Sequence, residues 1–294
     1  LARIILHSDD FGLHQAVNAA IVTCAQAGVL SSASVLANGP AADEAFALAR
    51  AQRGLGIGVH LNIVRGRPLS PPGEIPSLVD TRGRFLGSML ALLARAQLGL
   101  LRVEDICREY HAQITRVVAA GIEPTHLDGE KHSHILLPQA AEALKRVGRQ
   151  MGITRVRKLN ERALLTSLRS DKGIPAIQRA KLWLLEQRMR SARRHWVDFA
   201  ATDHTLGLAT VGCVDGRACR EMLAALLALP APTTVEWFFH VGHAFDYDAL
   251  RAEWGSVALT SARPQETAFL LSAEIRALLA QHPASVITYR ELPA

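Results

Sequence analysis

The chain has 294 residues, of which 49% are apolar and 20% charged, with a formal net charge of +6. It is long enough for one large domain or two small ones with a full core, and too apolar for a sustained disordered tract. No apolar run reaches the roughly 18 residues of a membrane span; the richest, 89–101, is interrupted by Arg95.

In chain order, strand alternates with helix. A strand over 3–8 runs into Asp9-Asp10-Phe11-Gly12, and a helix over 14–27 stops at Gly28. A strand at 33–37 and a helix at 40–52 follow, then a strand at 55–61. The Pro- and Gly-rich stretch 65–87 is too long for a plain connection and is expected to be a lid or a wall. Helices are expected over 86–101 and 103–120, a short strand over 124–128, a helix over 138–151 and a strand over 154–157. A helical insertion at about 160–195 comes next, then strands over 196–201, 233–241 and 285–288, with helices over 219–229 and 265–281 between them. Eight strands separated by helices predict an α/β fold, a single-domain, TIM-like distorted (β/α) barrel spanning 1–294. A doubly wound sheet would call for a glycine-rich phosphate loop after the first strand, and Asp9-Asp10-Phe11-Gly12 is not one.

Basic residues gather between Lys145 and Arg194 without the aromatic interleaving that stacks bases, so a solvated helix face is expected and no nucleic-acid partner. The segment 174–196 mixes Leu182, Trp183, Leu184, Leu185 and Met189 with arginines, a pattern that suits a homodimer contact or peripheral contact with a membrane. Cys24, Cys107, Cys213 and Cys219 form no CxxC pair and fit a reducing compartment; with no visible signal or transit peptide, a cytoplasmic protein is expected.

A barrel carries its site at the C-terminal ends of its strands. There the sequence collects Asp9 and Asp10, His60, His126 and Asp128, Arg155 and Arg157, Asp203 and His204, and Glu236, His240 and His243. Two adjacent carboxylates cannot both sit in a flat ladder; where the chain turns they can diverge, one holding a cation and one free to take a proton. A lone histidine at a strand end is usually a hydrogen-bonded structural residue, but the coincidence of several at one rim points to a divalent cation.

These segments resemble the YdjC-like carbohydrate deacetylases. The resemblance rests on Asp9-Asp10-Phe11-Gly12, Gly58 to Leu61, Gly66 to Ser70, the His126-x-Asp128 and His132-x-His134 pair, and Ile287 to Leu292. Between Asp128 and the last His-x-His the family tends to carry histidines, where this chain has Gly129, Glu130 and Lys131. The resemblance implies removal of an acetyl group from an N-acetylated sugar, with one divalent metal ion, zinc first and magnesium second. It implies Asp10, His60 and His126 as metal ligands, Asp9 as base and His240 as acid. Arg157, or failing that Arg155, is expected to orient Asp9, Asp128 to fix a ligand histidine, and Asn62, Asp128, Glu130, His132, His134 and Arg155 to surround the substrate. A lipid-linked amino sugar as substrate, or a non-catalytic sugar-binding barrel, are the rival readings.

Overall fold

The run Ile4-Ile5-Leu6 becomes the middle of a parallel sheet in the computed structural model, which describes residues 1–167, 176–210, 216–246, 248–254 and 262–292. Its strands are β1 (Arg3–Phe11), β2 (Ser32–Val35), β3 (Gly56–Leu61), β4 (Leu127–Gly129), β5 (His204–Leu206) and β6 (Thr234–Phe239), in the order β4-β3-β2-β1-β6-β5. All pairs are parallel, and the sheet curls into a TIM-like half-barrel. The helices are α1 (Gln15–Gln26), α2 (Ala42–Ala51), α3 (Met89–Gln97), α4 (Val103–Ala119), α5 (Ser133–Leu136), α6 (Pro138–Gln150), α7 (Glu161–Ser167), α8 (Ala176–Ala192), α9 (Gly216–Leu227), α10 (Asp248–Trp254), α11 (Arg263–Leu271) and α12 (Ala273–Ala280).

Among the described residues six strands form where the sequence predicts eight. The segments expected at 154–157, 196–201 and 285–288 shrink to the single bridges Leu127↔Val156, Arg155↔Ala200 and Ile4↔Val286. For 154–157 the cause lies in β4, which ends at Gly129 and offers its neighbour only Leu127, whose N–H bonds Arg155 O and whose C=O accepts from Arg157 N–H. β5 is not foreseen, and the helix expected over 265–281 breaks at Ser272, whose hydroxyl caps α12.

Period-two alternation divides the strands into two chemistries. Ile4, Leu6, Ala33, Val35, Ile57, Val59, Leu127, Val235 and Trp237 join the large core with the helices. His7, Asp9, Ser32, Ser34, His60, His126, Asp128 and Glu236 alternate with them and are also buried. At the N-terminal end of β1 a small apolar cluster of Ile5, Ile287, Tyr289 and Leu292 lies beneath this polar interior.

The stretch 65–87 is a structured wall. It buries Ile75, Leu78 and Phe85, and its N–H groups at Leu69, Ser70 and Ser77 donate to the Glu109 and Asp105 carboxylates of α4. It returns to the end of β3 through Phe85 N–H to Gly66 O and Gly87 N–H to Val64 O, and α3 starts there. α7 and α8 occupy the stretch expected as a helical insertion; 168–175 and Cys213 lie outside the described residues. Among the described residues, no helix is long and apolar enough to cross a membrane.

Candidate active site

At the end of β1 the pairing with β2 shifts register between Ser8 and Phe11, and Asp10 takes a left-handed backbone (φ 69°). This bulge turns Asp10 so that it and Asp9 line one cavity. A non-glycine residue in this region costs about 1–3 kcal/mol and persists where its surroundings fix it; here the Arg263 guanidinium grips the Asp10 carboxylate. The cavity is about 110 Å³ and is walled by Leu13, Leu36, His60, Arg65, Glu130, Lys131, His132, His240, Trp254 and Arg263. Pockets that enclose a drug-sized ligand run to roughly 300–1,000 Å³, so this one takes part of a ligand. A larger groove of about 550 Å³ between α9 and the α11–α12 pair contains none of the expected site residues.

Asp9 is held from behind. Arg157 donates to both its oxygens, at 2.8 and 3.0 Å, and His7 Nε2 lies 3.2 Å from Oδ1. Burial works against the Asp9 charge, but Arg157 beside it, with His7, holds the carboxyl well below the usual range. Arg157 is fully buried and also meets Glu236 at 2.7 Å and Asp128 at 3.0 Å, so one guanidinium anchors three carboxylates. Tyr289 Oη donates to the other Glu236 oxygen at 2.6 Å. His240 Nε2 faces Asp9 at 3.8 Å.

Three groups of metal-type donors lie within 4.8 Å of one another among the described residues: His7, His126 and Asp128; Asp9, His60 and Asp128; Asp10, His60 and Glu130. An arginine engages the carboxylates of all three groups, Arg157 on Asp9 and Asp128, Arg263 on Asp10 and Arg65 on Glu130, and only the third group has every member lining the cavity. His60 Nδ1 donates to Asp128 at 2.9 Å, which turns Nε2 toward Glu130 (3.3 Å) and Asp10 (4.0 Å). Burial opposes a charge on His60, yet Asp128 and Glu130 hold it well above its ordinary value. Burial likewise opposes the charge on Glu130, and Arg65, paired with it, holds that carboxyl low.

His126, expected as the third ligand, is not in the cavity-facing group. Its ring lies flat between the backbone of Gly58 and the Tyr289 ring, stacked at 3.8 Å, with Nδ1 on Thr125 Oγ1. Register explains the difference: Val59 pairs Leu127 and His60 pairs Asp128, so His126 sits beside Gly58, one layer deeper. Of the residues expected around the substrate, Glu130 and His132 reach the cavity. Asp128 stands behind His60, and His134 Nε2 donates to Arg157 O at 3.2 Å. Asn62 is spent on shaping the turn, its side chain bonding the backbone of Val64 and Arg65 and the side chain of Asn38. Arg155, two residues before Arg157 on the same side, reaches the opposite end and bonds Arg290 O. His7, Arg65, Trp254 and Arg263 enter the site unannounced. His7 is legible as the position two before Asp9, while Arg263 lies 253 positions from Asp10 and gives no local signal.

Fold and site define a parallel α/β half-barrel with a carboxylate- and imidazole-lined pocket at the C-terminal ends of its strands. The chain belongs to the YdjC-like family, whose model, described as YdjC-like protein, matches residues 3–281. It is 40% identical over 130 residues to a carbohydrate deacetylase of Geobacillus stearothermophilus, covering 44% of this chain and 49% of that one. It is 36% identical over 175 residues to a chitooligosaccharide deacetylase of Salmonella typhimurium, covering 58% and 66%. The chain thus spans about half to two thirds of the length of these curated relatives. A solved structure from Enterococcus faecalis, provisionally described as a cellobiose-phosphate cleavage protein, matches with a TM-score of 0.74 at 20% identity over 98% of this chain and 97% of that one, a likeness of fold.

Proposed function

We propose that this chain is a carbohydrate deacetylase that hydrolyses the acetamido group of an N-acetylated saccharide with the help of one divalent cation. One observation carries the reading: Asp10, His60 and Glu130 share a cavity with Asp9, a carboxylate fixed by Arg157 and left out of their set. A pure binding protein has no use for that spare base. The names of the relatives supply the substrate class, a chitooligosaccharide-type sugar.

The donors fit a cation. Two carboxylates with one imidazole suit an oxygen-preferring ion, so magnesium or manganese is favoured over the zinc that two histidines would favour. A cation bound there would polarise the acetyl carbonyl and bring the pKa of water down from 15.7 toward ~7 in the best cases. Asp10, His60 and Glu130 would hold it, with Asp128 fixing the His60 ring. Asp9, kept ionised by Arg157, takes the proton of the attacking water. His240 protonates the departing amine. His132 also faces the cavity, but burial and Arg157 push it down to about 3, so it stays neutral and leaves the acid role to His240.

Acetate release from a panel of N-acetylated sugars, with metal-stripped and manganese-reloaded protein, tests the reading. Stripped protein should be inactive and reloaded protein active. Asp9→Asn should retain manganese by elemental analysis and lose about 10²–10⁴-fold in turnover. Acetate release that survives stripping, or near-normal turnover in Asp9→Asn, defeats the proposal.

A further inference from the structure

The described surface shows eight large hydrophobic residues exposed, and three of them, Leu90 (78%), Leu98 (72%) and Leu100 (58%), fall within eleven consecutive positions. They lie on α3 and the turn after it, and Leu92 is the one residue of α3 that is fully buried. Leu90 and Leu98 are two helical turns apart and share a side, so the leucines form one apolar strip of the kind that marks an interaction surface. α8, the segment whose composition suggests membrane contact, directs Leu182, Leu185 and Met189 into the fold and leaves Trp183 and Leu184 exposed, at 54% and 44%. α3 puts Leu92 into the core and packs Leu93 against it, and leaves Leu90 more exposed than either Trp183 or Leu184.

We propose that this strip docks the protein onto the surface of an anionic phospholipid bilayer. The charge around it selects that occupant. From 81 to 103 the charged residues are Arg82, Arg84, Arg95 and Arg102, with no acid among them. The Arg82 and Arg102 side chains are 80% and 65% exposed, and their acidic neighbours Asp80 and Asp105 stand at 3.3 and 3.9 Å. A second copy of this chain would set arginines against arginines, whereas acidic headgroups meet them and the acyl boundary takes the leucines. Arg95 braces the strip from beneath by bonding Ser77 O and Val79 O of the wall. Because α3 starts where 65–87 returns to the end of β3, it stands at the end of the sheet that carries the cavity. A docked chain therefore keeps its pocket near the membrane face.

Co-sedimentation with vesicles tests this independently of any catalysis. The full chain should pellet with vesicles of phosphatidylglycerol and phosphatidylcholine and at least tenfold less with phosphatidylcholine alone, and raised salt should release it. A Leu90→Ser, Leu98→Ser, Leu100→Ser variant should lose at least tenfold in partition with its melting temperature retained, since the changed side chains are exposed. An Arg82→Glu, Arg84→Glu variant, which keeps the leucines, should lose the preference for anionic vesicles. Wild-type protein that stays in the supernatant, or a leucine variant that pellets as well as wild type, overturns the proposal. So does a dimer that the leucine changes dissociate in sedimentation velocity, which would assign the strip to a second copy.

Discussion

Glu130 and His126 show how one layer of depth separates a candidate ligand from a packed ring. They flank the same strand, His126 just before β4 and Glu130 just after it, and both are donors by type. Glu130 is past the end of β4, where Lys131 and His132 take left-handed backbones (φ 50° and 54°) and turn the chain over the cavity. His126 enters the strand from its deeper end, wedged between Gly58 and Tyr289. The motif that carries both residues is plain in the sequence. Their depth is not, because it depends on the β3–β4 register, a pairing across more than sixty positions. For manganese binding by calorimetry we expect Glu130→Gln to lose at least ~10-fold in affinity, as measured even for residues that only support a ligand. His126→Gln should stay within a few-fold. Glu130→His should move the preference toward zinc. The reverse pattern for Glu130 and His126 would return the third ligand to the strand.

Among the elements, β3 shows why a glycine precedes the candidate ligand histidine. Gly58 has an ordinary backbone, but a Cβ there would stand 2.3 to 2.6 Å from three atoms of the His126 ring. That ring cannot retreat, since Tyr289 is stacked on its other side at 3.8 Å. Gly58→Ala should therefore cost about 1–3 kcal/mol through overpacking, seen as a lower melting temperature. Gly54→Ala, with open space around it, should stay within about 0.5 kcal/mol. Equal melting of the two variants would show that the ring has room after all. Five of the eight expected strands were legible from apolar runs bounded by turn residues, because β1, β2, β3, β4 and β6 form true ladders. The segments at 154–157, 196–201 and 285–288 carry the same composition. Their reduction to single bridges follows from how little edge their neighbours offer, which no local pattern encodes.

At the scale of the molecule, buried histidines set the response to acid. His126, His132 and His134 are pushed down by burial, the last two to about 3 and about 4, so the unfolded chain takes up three protons near pH 6.5 that the folded chain refuses. Their contribution is complete above pH 6.5 and is lost as pH falls toward 4. Glu161 acts in the opposite sense. Burial pushes its carboxyl up to about 7 while it accepts the N–H groups of Leu208 and Ala209, so between 4.5 and 7 the folded chain holds the extra proton and stability falls as pH rises. Three protons outweigh one. The melting temperature of metal-free protein should drop between pH 6.5 and 4.5, with a net slope of at most about 2.7 kcal/mol per unit. His134→Gln, which keeps a donor for Arg157 O, should flatten that slope; a melting temperature that rises on acidification would contradict the assignment.

The cluster at the foot of β1 ties distant times in folding together. Ser31 Oγ bonds Ile287 O across 256 positions, and Tyr289 reaches both the His126 ring and Glu236. Until those residues arrive, the basin that holds Arg157 and its carboxylates has no floor, and bulk solvent screens the charges that later organise one another. The chemistry of this centre is consequently a product of chain closure. The strands can align early, but the electrostatics that arm Asp9 mature only when the far segment seals the barrel from below.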